Sequence, residues 1–89
     1  MTLSNEDQEL LRKVTLELLC NCKPVPRQSR TIIREVRKEV LFDVAEADLL
    51  SALVFLSGFG LVTMTYDKLG SSQWWSITSE GVLAVERTL

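Results

Sequence analysis

Five cations crowd the interval between residues 27 and 38: Arg27, Arg30, Arg34, Arg37 and Lys38. On a helix, at about 100° per residue, they gather on a stripe opposite Ile32, Ile33, Val36 and Val40. Such a stripe can neutralise nucleic-acid phosphates or hold an acidic protein partner. It can also stay a solvated face, partly offset by Glu35 and Glu39. Choosing among these readings depends on the rest of the chain.

Other reactive residue types are scarce. The 89 residues include no histidine, which removes Ser-His-Asp and Cys-His nucleophiles, HExxH sites and the usual general base near neutral pH. Cys20 and Cys22 are the only cysteines, and a bridge between them would close too tight a loop to staple a fold. With no second pair to complete four ligands, they read as structural thiols, with metal or redox sensing as the alternative. Gly58-Phe-Gly60 follows a helix and lacks the Lys-Ser/Thr of a phosphate loop, so it reads as a helix C-cap. Neither catalysis, a cofactor nor a metal is expected.

Hydrophobic residues make up 46 % and charged residues 25 %, a globular mix that predicts one domain over residues 1–89. The longest apolar run, Ala52 to Leu56, is far short of a membrane span, and the acidic MTLSNEDQE resembles no signal or transit peptide. A cytoplasmic location is the default. The net charge is −2, but it is segregated: Lys23 to Leu41 carries +4 and the remainder −6.

The elements that must position the cations follow from spacing and capping. Ser4-Asn-Glu-Asp7 opens a first helix near 5–21, with Leu10, Leu11, Val14 and Leu18 on one face and Leu16, Leu19 and Cys20 on the other. Lys23-Pro-Val-Pro26 breaks the chain, and a second helix near 27–40 carries the arginines. Asp43-Val-Ala-Glu46 reads as another capping box, starting a third helix near 44–57 with Leu49, Ala52, Leu53 and Leu56 inward. Gly58 or Gly60 stops it. Leu61–Tyr66 and Gln73–Thr78 are β-like runs around Asp67–Ser72, a hairpin with Val62, Met64 and Tyr66 sharing a face. Trp75 and Ile77 are expected inside and Trp74 outside. Thr78 or Ser79 can cap a last short helix with a stripe of Val82, Val85 and Leu89.

Three helices, a hairpin and a closing helix, with Leu53-x-x-Leu56 before Gly60-Leu-Val62 and then Trp75-Ser-Ile-Thr-Ser-Glu-Gly81, resemble the winged helix-turn-helix family of MarR-, PadR- and ArsR-like regulators. The chain is also similar to small stand-alone winged-helix proteins of Mu-like phages. The resemblance covers roughly residues 24–88 and implies an α+β fold: three helices, a two-stranded wing and a short C-terminal helix. It also implies double-stranded DNA as partner, a dimer, and phosphate contacts from Arg27, Arg30, Arg34, Arg37 and Lys38, with Lys68 at the wing tip.

The third helix departs from that pattern. From Asp43 to Ser57 there is no Arg, Lys, Asn or Gln to address base edges. Its expected outward face is Ala47, Leu50, Ser51, Val54 and Phe55. Two functions therefore stay open: a regulator that holds DNA through its backbone, or an interaction module that uses this apolar face and binds no DNA.

Overall fold

The first helix begins where Ser4 Oγ accepts the Asp7 amide at 3.1 Å, the capping contact the sequence predicts. The computed structural model describes residues 3–23, 25–67, 69–70 and 72–87, so the expected roles of Lys68 and Leu89 lie outside the described residues. Chain order is α1 (Asn5–Cys22), β1 (Arg27–Gln28), α2 (Ser29–Glu39), α3 (Glu46–Gly58), β2 (Val62–Tyr66), β3 (Gln73–Ile77) and α4 (Ser79–Arg87). This is an α+β winged-helix fold.

The core is the set of apolar stripes read from the sequence. Ile32, Ile33, Val36 and Val40 are buried, as are Leu49, Ala52, Leu53 and Leu56. Each large aliphatic side chain removed from water stabilises the fold by roughly 2 kcal/mol. Helix α1 packs on α2, α3, α4 and β3, and its buried face is Leu11, Thr15, Leu16 and Leu19. The two faces expected for this helix are thus only partly right. Leu10 is exposed, while Val14, Leu18 and Cys20 flank the core half-buried.

Thr15 is a polar residue inside this face, fully buried, and its hydroxyl has no hydrogen-bond partner among the described residues. A buried unpaired hydroxyl opposes folding, whereas a methyl group of the same shape does not. Thr15→Val is expected to stabilise the protein by about 1 kcal/mol in urea unfolding. A loss of stability instead would mean the hydroxyl is satisfied.

Two boundaries and one buried face differ from the sequence reading. Arg27 and Gln28 do not start the second helix: they form a short strand that pairs antiparallel with β3, giving a sheet of order β1-β3-β2 rather than a two-stranded wing. The third helix begins at Glu46, and Asp48 Oδ2 accepts the Ala45 amide at 3.1 Å. Asp43 therefore does not cap it. The overlapping pair Ala45/Asp48 prevails because Val44 is drawn into the core and Ala45 is extended ahead of the helix. In α4 the buried residues are Gly81 and Val85, with Val82 half-buried.

The hairpin register is the expected one: Val62 lies opposite Ile77 and Met64 opposite Trp75, which is buried. Tyr66, past the edge of the core, is exposed. Trp74 is half-buried instead of fully outward, since Gln28 of β1 and Thr65 of β2 flank it on either side. The turn is closed by the Asp67 amide donating to the Ser72 carbonyl at 3.1 Å.

The junctions around the hairpin lock to each other. Gly60 has φ +73°, and the Gly60 and Leu61 amides donate back to the Ser57 and Leu56 carbonyls, both at 3.0 Å. That left-handed glycine ends α3 and satisfies two of its last carbonyls. Thr78 then closes the other side: its amide donates to the Leu61 carbonyl at 3.0 Å and its hydroxyl to the Gly60 carbonyl at 2.6 Å. The same hydroxyl oxygen accepts the Gly81 amide at 3.1 Å and so caps α4. Gly60-Leu-Val and Ile-Thr-x-x-Gly81 are two halves of one joint.

Candidate nucleic-acid interface

The five cations of β1 and α2 go to four different environments. Arg30 and Arg34 are exposed and make no hydrogen bond or ion pair among the described residues. Arg37, also exposed along much of its length, donates from Nε and Nη2 to the Val44 carbonyl at 3.1 and 2.8 Å. Lys38 pairs with Glu35 across one turn at 3.3 Å, in the open. Arg27 is on β1, opposite buried Trp75, and it turns into a cleft of about 430 Å³ between α1 and α2.

That cleft is also lined by Glu17, Glu35 and Glu39. Arg27 is half-buried there, its Nε shielded from water and unpaired. It is turned away from the exposed stripe and, like Arg37 and Lys38, is withdrawn from it, so the predicted five-cation stripe reduces to two available guanidinium groups. The cause is side-chain reach: a helical period sets where Cβ points, but a long side chain takes whichever acceptor a neighbouring element offers.

The Arg37 clamp yields a clear expectation. Two charge-assisted bonds hold the carbonyl at the turn between α2 and α3, and Arg37→Gln would leave it without either. Urea unfolding should show a loss of about 1–2 kcal/mol. Any salt dependence of DNA binding should stay unchanged, which separates this arginine from its neighbours.

Arg30 stands at a small crevice, about 230 Å³, shared by Gln28, Ser29, Glu46, Ser72 and Gln73. There the start of α2 meets the turn end of the wing, where β3 begins. No side chain caps this helix, and its first turn has no acidic residue. The amides of an uncapped first turn are donors for an anion, and the helix dipole adds to the attraction. Arg34 lies one turn further, about 6 Å along the axis. Ser29, Ser72 and Gln73 are polar neighbours the sequence reading missed. Their only sequence signal was turn and cap chemistry, which does not say which two loops meet.

Helix α3 offers much less to DNA. Glu46 and Asp48 occupy its first turn, where they stabilise the helix dipole and, through Asp48, cap the backbone. Glu46 faces the Arg30 crevice, and Asp43 is exposed just before it. Of the expected outward face, Ala47 and Ser51 line a crevice against Leu11 and Arg12 of α1, and Leu50 is half-buried against the core. All of these except Leu50 are exposed, as expected, Val54 and Phe55 at 63 % and 40 %. Phe55 is overlaid by the Arg12 guanidinium at 3.6 Å from its ring centroid. Cys20 and Cys22 are unbonded thiols, both half-buried. No helix is long and apolar enough to cross a membrane among the described residues.

No protein-family model matches the sequence, and no curated protein matches it either. Solved structures do share the fold. A transcriptional regulator from Clostridium thermocellum superposes with a TM-score of 0.78 at 20 % identity, over 99 % of this chain and 84 % of that one. A PadR family transcription regulator from Clostridium difficile R20291 gives 0.73 at 18 % identity, over 88 % and 81 %. ZitR of Lactococcus lactis gives 0.71 at 17 % identity and covers 93 % of this chain. The chain spans 57 % of the ZitR structure.

Proposed function

We propose that this winged-helix chain is a small DNA-binding regulator that holds duplex DNA by its phosphate backbone and reads little sequence through α3. The observation that carries the reading is the crevice where Arg30 and the uncapped start of α2 meet the turn end of the wing. In helix-turn-helix proteins the helix before the recognition helix crosses the backbone, and phosphate contacts position a protein without specifying bases. Neighbours of the same fold are described as transcription regulators, two of them from the PadR group.

Arg30 and Arg34 are the primary phosphate contacts in this proposal, with Lys68 on the wing as a further one. Arg37 and Lys38 are spoken for by other partners and Arg27 is turned into the α1–α2 cleft, so these three contribute only through the overall field. A homodimer would place two such surfaces on one duplex. A phage-type accessory DNA binder is the other form this reading takes beside a transcriptional regulator.

The test is a titration of a labelled duplex of about 25 base pairs, followed by fluorescence anisotropy at two salt concentrations, with size measured in parallel. Backbone binding falls steeply with salt and varies little between unrelated sequences. No binding at low salt would refute the proposal.

A further inference from the structure

The cleft between α1 and α2 holds charges of both signs that do not pair with each other. Arg27 makes no ion pair and no side-chain hydrogen bond among the described residues, although its Nε is closed off from water. Glu17 and Glu39 make no ion pair there either, and Glu35 meets only Lys38, which stands outside the lining. All three carboxylates thus share a cleft with a guanidinium that none of them reaches. A shielded donor without an acceptor opposes folding, and a group that supplies the acceptor removes that cost.

The two signs are also set apart along the cleft. Thr31, Glu35 and Glu39 recur every four residues and form one row of α2, with Glu35 about 6 Å and Glu39 about 12 Å beyond Thr31. Arg27, on β1 directly before α2, belongs to the Thr31 end. On the facing helix, Val14 and Leu18 are half-buried and give the cleft an apolar wall. Its volume of about 430 Å³ falls within the roughly 300–1,000 Å³ of small-molecule sites. The carboxylates do not gather into a group that could hold a metal ion among the described residues.

We propose that this cleft binds an elongated zwitterion of the ω-amino acid type, with a carboxylate at one end, an ammonium at the other and a short apolar chain between them. The carboxylate accepts from the Arg27 guanidinium, the ammonium donates to Glu35 and Glu39, and the chain lies on Val14 and Leu18. A simple amine would leave Arg27 without an acceptor, and a simple carboxylate would meet three like charges. In an α-amino acid the two charges are too close together to reach both ends. Neither Arg30 nor Arg34 lines the cleft, so the proposal stands apart from DNA binding.

The test titrates the isotope-labelled full chain with ε-aminocaproate, hexylamine, caproate and free glycine, followed by amide chemical shifts, with size measured in parallel. The first should saturate the α1–α2 amides with a Kd of about 1 mM or tighter, and the other three should bind at least about tenfold more weakly. Arg27→Gln should reduce ε-aminocaproate to the level of hexylamine, and Glu35→Gln with Glu39→Gln to the level of caproate. Glu39 is exposed, so Glu39→Gln alone keeps the fold and should still weaken binding about threefold. No binding at about 10 mM, equal binding of any of the other three probes, or indifference to all these variants would overturn the proposal. So would a dimer that Arg27→Gln converts to monomer, because the acceptor for Arg27 would then come from a second copy.

Discussion

Replacing Gly81 by alanine is expected to destabilise the fold by about 3 kcal/mol or more, a very large effect for one methyl group. The added Cβ would overlap the Leu61 carbonyl oxygen and stand 2.5 Å from Ile77 Cγ1. The oxygen is backbone, and it is already the acceptor for the Thr78 amide. Moving it would open the joint that fastens the end of α3, the start of β2 and the cap of α4 together. For a domain of this size, a loss of about 3 kcal/mol lowers the melting temperature by at least about 12 °C. Gly58 and Gly70, where a Cβ meets nothing, are the controls, and alanine there should shift it little or upward. A Gly81→Ala protein that melts within a few degrees of the parent would show that the joint is slack.

The second large effect concerns binding. Each arginine that neutralises a phosphate releases counterions, and log K falls against log salt by about 0.9 per contact on duplex DNA. Arg30, Arg34 and Lys68 together give a slope of about −2.7 for each chain bound. Arg30→Gln or Arg34→Gln should make it shallower by about 0.9, and the double variant should leave about −0.9. The loss should be uniform across duplex sequences, because phosphates carry no base information. Both positions are exposed, so stability should change by less than about 0.5 kcal/mol. Ser51→Ala should have no effect on affinity. Binding that survives the double variant yet fails with Ser51→Ala would transfer recognition to α3 and end the backbone model.

Much of the scaffold is local, and local patterns are legible. The Ile32/Ile33/Val36 stripe, the Leu49/Leu53/Leu56 stripe and the Val62/Met64 alternation each report one element's period against one core. All of these residues lie where the period puts them. Ser4 and Thr78 cap their helices because a cap needs only an oxygen within a few residues of the first amides. Apart from β1, the element order followed from these signals, and with it the winged-helix fold.

The tertiary structure decided the fate of the charged and aromatic side chains. Arg27 and Gln28 became a strand because β3 offered them an edge, a pairing across nearly fifty positions that no local pattern encodes. The same pairing brought Gln28 alongside Trp74. Arg37 went to the Val44 carbonyl, and Asp48 displaced Asp43 as the cap, because burying Val44 set the path of the turn. Arg12 stacked on Phe55 because α1 packs on α3. Hydrophobic periodicity fixes the direction in which a side chain leaves its helix, whereas a long polar side chain ends wherever the nearest acceptor or ring lies. That position depends on how elements far apart in the chain come together, and so it appeared only with the fold.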